Sequence, residues 1–241
     1  MGTALPRRHR ERMEYRRRAG TCGEMEQSHR LLETRGAHTG GRARPRTSTG
    51  RQMITQVPYR TQWPEEFLRI AHELRAGLGD LALRIDHIGS TSVPGLAAKD
   101  VIDIQVTARK LEPALEEALC RLGYRRIERI NSDHIPPGQT DEAGNWTKWM
   151  FGPPTGQRAT NLHVRLAGKP NQRYPILFRD YLRTHPAVSE AYSRIKSALA
   201  RLHPDDHDAY CDVKDPACDI IVAAAEAWAA SVGWNAGPSD C

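Results

Sequence analysis

The sequence predicts a mixed α/β (α+β) domain, a β-sheet flanked by helices with more helices at its C-terminal side, behind a disordered basic tail. Three observations carry this. From residue 53 to about 166, short alternating apolar segments are interleaved with stretches of helical period. Beyond that the pattern is helical throughout. Residues 1–52 show no apolar periodicity and are dense in arginine.

The tail sets the overall charge. Residues 1–50 hold 12 Arg and five Glu, against 35 basic and 29 acidic residues in the whole chain, so the remainder carries a net of −1. A near-neutral folded part argues against a dedicated nucleic-acid binder. Three readings of the tail stand: a start codon placed upstream of the true start at Met53, a basic arm for nucleic acid or anionic surfaces, or an inert extension. No apolar run reaches membrane-spanning length and the N-terminus has no signal-peptide core, so a cytoplasmic protein without membrane contact is expected. Cys22, Cys120, Cys211, Cys218 and Cys241 include no C-x-x-C pair and are odd in number, which speaks against a zinc ribbon or a disulfide frame.

The folded domain is assigned to residues 53–235. Pro64 followed by Glu65 and Glu66 suits a helical first turn. Phe67, Ile70, Leu74 and Leu78 form its apolar stripe, and Gly79 ends it. "LALRIDHIG" reads as a strand, followed by a Gly-Ser turn. "VIDIQV" is a second strand, with Ile102, Ile104 and Val106 on one face and Val101, Asp103 and Gln105 on the other. "LEPALEEALCRLGY" reads as a helix and "YRRIERI" as a strand. "NSDHIPPGQTDEAGN" reads as a loop, then "WTKWMFG" and "TNLHVRL" as strands. "YPILFRDYLRTH", "PAVSEAYSRIKSALARL" and "DPACDIIVAAAEAWAASV" complete the chain as helices. The five tryptophans, Trp63, Trp146, Trp149, Trp228 and Trp234, follow no regular interval with basic residues and read as core or helix-docking side chains.

The stretch "HIGSTSVPGLAAKDVIDIQV" carries the chemistry. Gly89, Ser90, Thr91 and Ser92 can turn the chain tightly and aim N–H groups at an anion. Asp103, on the neighbouring strand, can hold Mg²⁺ against phosphates bound by that turn. Lys99 lies between them as a compact positive charge. The plain alternative is a common turn followed by a solvent-facing aspartate. Lys148 is a further phosphate candidate. Arg179 and Arg183 share a helical face, which suits phosphate or a surface ion-pair ladder. Tyr210 and Lys214 are likewise four apart. The chain contains no G-x-x-x-x-G-K-[ST], no G-x-S-x-G and no H-E-x-x-H.

Taken in order, "VPYRTQWPEEF", "HIGSTSVPGLAAKDVIDIQV", "NLHVR", "LFRDYLRTHPAVSEAYSRIKSALA" and "YCDVKDPACDII" resemble the GrpB family, from about Val57 to Trp228. GrpB proteins look like polymerase-β-type nucleotidyltransferases. The resemblance implies a mixed sheet with C-terminal helices closing one side of the site. It implies a phosphate turn at Gly89 and Ser90 and a first metal-binding aspartate at Asp103. Gln105 departs from the superfamily's second aspartate, and the candidate position for the third acid, in "TNLHVRL", offers only Asn161, His163 and Arg165 on the polar face. GrpB-like domains also occur fused to dephospho-CoA kinase, so a link to coenzyme A metabolism is contextual.

Two functions are therefore expected. The first is an Mg²⁺-dependent nucleotidyltransferase moving a nucleotidyl group from an NTP to a small acceptor. Asp103 and Gln105 would be its metal ligands and His163 would position or deprotonate the acceptor. The second is a nucleotide- or partner-binding module on the same fold without turnover. A carboxylate such as Asp100 or Asp212 reaching Asp103 would favour the enzyme.

Overall fold

The computed structural model describes residues 53–140 and 142–241. The basic tail lies outside the described residues. Helix α1 (Trp63–Leu78) starts with Pro64 in its first turn beside Glu65 and Glu66, and the Gly79 N–H closes it on the Arg75 carbonyl. Strand β1 (Arg84–Ile88) follows, then a 3₁₀ turn over Ser90–Ser92 and strand β2 (Ile102–Ala108). Helix α2 (Pro113–Arg121) leads to β3 (Arg125–Arg126), β4 (Lys148–Gly152) and β5 (Thr160–Leu166). Helices α3 (Pro170–Thr184), α4 (Pro186–Leu202) and α5 (His207–Val232) complete the mixed α/β fold.

The five strands form one sheet in the order β1-β2-β5-β4-β3. β2 and β5 pair in parallel and every other pair is antiparallel. The parallel pair needs a long crossover, supplied by α2, β3 and β4. The "YRRIERI" strand is shorter than expected. Ile127 still donates to the Met150 carbonyl, but the Ile130 N–H turns back to Ile127 and the chain leaves the sheet. The loop that follows carries Asp133 over the sheet.

Alternation decides which face does what. Ile102, Ile104 and Val106 of β2 and Leu162 and Val164 of β5 are fully buried against α1 and α2, with Trp63, Phe67, Leu74, Leu115 and Leu119. Each such side chain contributes about 1.5–3 kcal/mol by leaving water. The opposite face is polar and meets α3–α5. These helices pack on one another through Leu177, Phe178, Tyr181, Tyr192, Ile221 and Val222, leaving a cleft between their cluster and the sheet. Trp63 and Trp146 are buried, and Trp228 and Trp234 dock the helices.

α5 begins well before the expected "DPACDII", because Asp206 caps it by accepting from the Ala209 N–H at 3.0 Å. Ordered chain also continues past residue 235: residues 236–241 run along the free edge of β1. Among the described residues, no helix is long and apolar enough to cross a membrane.

Candidate functional site

β1 ends at Ile88, and Gly89 turns the chain with φ 69° and ψ −172°, a conformation essentially confined to glycine. A Cβ at Gly89 would lie 2.2 Å from Asp103 Oδ2. The missing side chain is what lets the turn sit against Asp103, whose partner in the β1–β2 register is Ile88.

The three hydroxyls of the turn do different work. Ser90 Oγ accepts from Lys196 Nζ at 2.7 Å and faces the cleft. Thr91 Oγ1 is buried and bonds His87 Nε2 at 3.0 Å. Ser92 does not fill the phosphate role expected of it: it is buried, its hydroxyl donates to the Gly89 carbonyl at 2.6 Å, and its own carbonyl accepts from Arg183.

Asp103 Oδ1 accepts from Asn161 Nδ2 at 2.8 Å and stands 3.9 Å from His163 Nε2. Burial pulls its pKa up, but His163, the Asn161 amide and the charge of His87 outweigh that and hold it below the ordinary carboxylate value. Asn161 Oδ1 is buried with no hydrogen-bond partner.

Gln105 is placed differently from the expected metal ligand. It is fully buried, its Oε1 accepts from Arg165 Nη1 at 2.8 Å, and its Nε2 donates to the Gln172 carbonyl at 2.9 Å. The amide oxygen is thus engaged away from the cleft. The outside acids do not replace it. Asp100 is bound by Arg60, Trp63 and Arg158, and Asp212 is exposed on α5 and lines neither lobe of the cleft. Among the described residues, no three His, Cys, Asp or Glu side chains gather as a metal site. The Asp103 carboxylate and the unpaired Asn161 oxygen are hard donors, and Mg²⁺ accepts one or two such ligands with substrate oxygens and water. These residues fit one Mg²⁺ and do not fit a two-metal clamp.

His163 sits where the two lobes of the cleft meet. Its Nδ1 lies 3.4 Å from Arg165 Nη2. A guanidinium only donates, so Nδ1 accepts and the neutral ring carries its proton on Nε2, toward Asp103. Burial first, then the charges of Arg165 and Lys148, lower its pKa from 6.5 to about 4. At neutral pH the ring is therefore a donor; the base half of its expected role has the wrong polarity.

Asp133 is a centre that sequence reasoning missed. Its carboxylate accepts from Lys148 at 2.8 Å, from Arg165 Nε and Nη2 at 2.8 Å, and from Asn171 at 3.0 Å. Burial pulls its pKa up, but Arg165 and Lys148 hold it far below the ordinary range. Lys148, expected as a phosphate ligand, lines the second lobe as part of this pair.

Lys196 was also missed. It is 3% exposed and holds Ser90 Oγ and the Ala97 carbonyl. Its signal was legible, because it occupies the buried stripe Tyr192, Lys196, Leu199 and Ala200 of α4. Lys99 lines the lobe beside the Gly-Ser turn, with Nζ 5.0 Å over the Tyr210 ring, and Lys214 lines both lobes beside Asp215. Arg179, expected on phosphate, is instead buried away from the cleft. It donates to Asp180, Asp240 and the His87 carbonyl.

The lobe beside the Gly-Ser turn has a volume of about 340 Å³ and the adjoining lobe about 310 Å³. Asn161, His163, Tyr174 and Lys214 belong to both, so the two form one cleft.

Burial lowers the pKa of His87 from 6.5 to about 3, with Arg183 and Arg179 acting the same way against Asp103. Both histidines are neutral in the fold and protonate readily once unfolded. The unfolded chain therefore binds more protons between pH 6.5 and 3, and stability falls as pH falls through that window. A loss of about 3–6 kcal/mol between pH 7 and pH 4 is expected. Urea unfolding across that range measures it, and a flat midpoint would contradict these environments.

A mixed sheet with a glycine-opened hydroxyl turn, a buried lysine on that turn and a carboxylate against it defines a mixed α/β domain with a polar cleft on one face of its sheet. The chain belongs to the GrpB family: residues 53–224 match the family described as GrpB protein. It is similar to a dephospho-CoA kinase of Mycolicibacterium paratuberculosis, 36% identical over 199 residues, covering 77% of this chain and 49% of that protein. The chain thus spans about half the length of that relative. It is similar to UPF0157 protein BH1888 of Halalkalibacterium halodurans, 34% identical over 178 residues, covering 72% of this chain and 83% of that one. The crystal structure of conserved protein GrpB from Enterococcus faecalis superposes with a TM-score of 0.59 at 29% identity, covering 72% of this chain and 99% of that one.

Proposed function

We propose that the protein binds a nucleoside triphosphate with Mg²⁺ in the lobe at Gly89 and Ser90, and transfers a nucleotidyl group to a small acceptor in the adjoining lobe. The observation that carries this is the Lys196–Ser90 pair, set in the same lobe as Asp103. A buried lysine that holds no carboxylate in its hydrogen bonds suits a phosphate oxygen. Lys99 and Lys214 line the same lobe and add charge for the polyphosphate. Asp103 and Asn161 would hold the metal, which when bound neutralises phosphate charge. The His163 Nε2–H orients the group that arrives at the junction of the lobes.

A cytoplasmic setting, where nucleotide and Mg²⁺ are plentiful, belongs to the same reading. The name of the mycobacterial relative puts coenzyme A precursors in the acceptor screen. Kinase chemistry of the P-loop type is not part of it, since the motif does not occur in these 241 residues. Calorimetric titration of ATP, GTP, CTP and UTP, with and without Mg²⁺, on this chain and on Asp103→Ala tests binding. Transfer of α-labelled nucleotide tests turnover. No binding at millimolar nucleotide would sink the reading.

One observation favours the second reading, a binding module without turnover: Gln105 is locked to Arg165, and Asn161 and His163 are the groups that meet Asp103. Mg²⁺-dependent binding with no transfer to any acceptor would decide for it.

Burial lowers the Lys196 pKa from 10.5 to about 7, with Lys214 adding to this and Asp103 and Cys218 opposing. Anion binding needs the charged amine, so ATP affinity falls as pH rises through 7, by about tenfold between pH 6.5 and 8.5. Binding at pH 7.5 takes up protons, seen as a buffer-dependent heat. Lys196→Met weakens ATP at pH 6.5 by at least about tenfold and abolishes both effects. Unchanged pH dependence in that variant would remove Lys196 from the site.

A further inference from the structure

β1 is the outer strand of the sheet, with β2 on one side only. In an antiparallel pair alternate residues bond the neighbour, and the others point their backbone groups outward. Those groups on Ile85 and His87 would be open to another strand. All four are met, and by residues far away in sequence. The Ile85 N–H donates to Ser239 Oγ at 2.8 Å, and the Ile85 carbonyl accepts from Ser239 Oγ and the Cys241 N–H. The His87 N–H donates to Asp240 Oδ2 at 2.8 Å, and the His87 carbonyl accepts from Arg179 Nη1 at 2.9 Å.

The His87 pair is special because its two partners are bound to each other. Arg179 Nη1 also donates to the same Asp240 Oδ2 at 2.6 Å. One buried guanidinium and one carboxylate thus hold both backbone groups of a single residue. That residue lies two positions before Gly89. Its ring stacks on Phe67, with centroids 4.7 Å apart, and bonds Thr91 inside the turn. Arg84 fixes the incoming segment through the carbonyls of Ala236, Gly237 and Pro238. At the turn the tolerance is small, since Gly89 packs on Asp103 with no room for a methyl group. Displacement by an ångström there is enough to cost binding geometry.

We propose that Asp240 is a positioning residue: with Arg179 it sets the end of β1, and through His87 the Gly-Ser turn, at its distance from Asp103. The role of Arg179 is then indirect, a guanidinium that holds the turn instead of the phosphate. The affinity part rests on reading that turn as a phosphate cradle; the geometric part does not.

The test uses the full chain, with Asp240→Ala and, as a control on the same segment, Ser239→Ala. Magnesium-free tripolyphosphate is the binding probe, and amide hydrogen exchange at residues 87–91 reads the turn directly. Asp240→Ala is expected to weaken tripolyphosphate at least tenfold and to speed exchange at 87–91 at least tenfold. Ser239→Ala is expected to lose similar stability in urea and less than twofold in affinity. Equal affinity losses in the two variants, or unchanged exchange in Asp240→Ala, would overturn the proposal. If the parent chain takes tripolyphosphate neither without Mg²⁺ nor with it, the nucleotide reading fails and exchange alone decides: acceleration confined to 87–91 upholds the positioning role, and none overturns it.

Discussion

Arg165→Met is expected to cost the fold about 3–5 kcal/mol, because it leaves a buried carboxylate without its principal counter-charge. Asp133 would keep Lys148 and Asn171 but lose both arms of the guanidinium fork. Gln105 Oε1, fully buried, would lose its donor as well, which adds a desolvation penalty of about 1–3 kcal/mol if no water replaces it. Urea unfolding at pH 7 reads the sum. Asp133→Asn added to Arg165→Met removes the stranded charge and should recover part of the loss. The same variant should raise the His163 pKa, since the Arg165 charge helps to hold it down. A loss under about 1 kcal/mol would mean that the network spanning β2, β5 and the Asp133 loop is not what fixes this face.

Gly89→Ala is the second large effect. Two penalties add. The backbone conformation disfavours any side chain, by about 1–3 kcal/mol. The new methyl would also meet Asp103 Oδ2 at 2.2 Å, so either the turn or the carboxylate must move. A total of about 2–4 kcal/mol is expected; under the proposed function, Mg²⁺-dependent nucleotide binding is lost with it. Asp103→Ala in the same chain removes the carboxylate but keeps the Cβ at 2.8 Å, so it relieves the worst of the clash and leaves the backbone penalty. The double variant should therefore be more stable than Gly89→Ala alone, a sign that no general weakening of the turn would produce. Thermal and urea unfolding of the two variants decide it.

Much of the architecture was legible because its signals are local. Proline and paired glutamates start α1, alternation assigns β2 to two faces, and β5 coincides with "TNLHVRL". Asp103, Ser90 and Gly89 meet as the sequence leads one to expect, because turn and strand are neighbours in both chain and space. What could not be read is what depends on distant partners. A glutamine beside an aspartate on one strand face looks like a second ligand until Arg165, 60 residues on, takes its oxygen. Asp133 sits in a polar loop like any other, and only folding brings it beneath Lys148, Arg165 and Asn171. Arg179 shares a helical face with Arg183, and nothing local reveals that Asp240 waits for it. Lys196 is the instructive omission: a lone lysine in an apolar stripe is a local signal, and it marks the amine nearest the turn.

The parallel β2–β5 pairing has a consequence for the order in which the molecule is made. Asp103 and Asn161, joined across those two strands, are 58 residues apart. During synthesis the β1–β2 hairpin emerges first, with one flank of β2 bare until β5 has followed β3 and β4 out of the ribosome. The strand exposed in that interval is the apolar one, Ile102, Ile104 and Val106, and its open flank is a template for the wrong chain. A nascent chain stalled near residue 155 should bind holdase chaperones, and the released full chain should not.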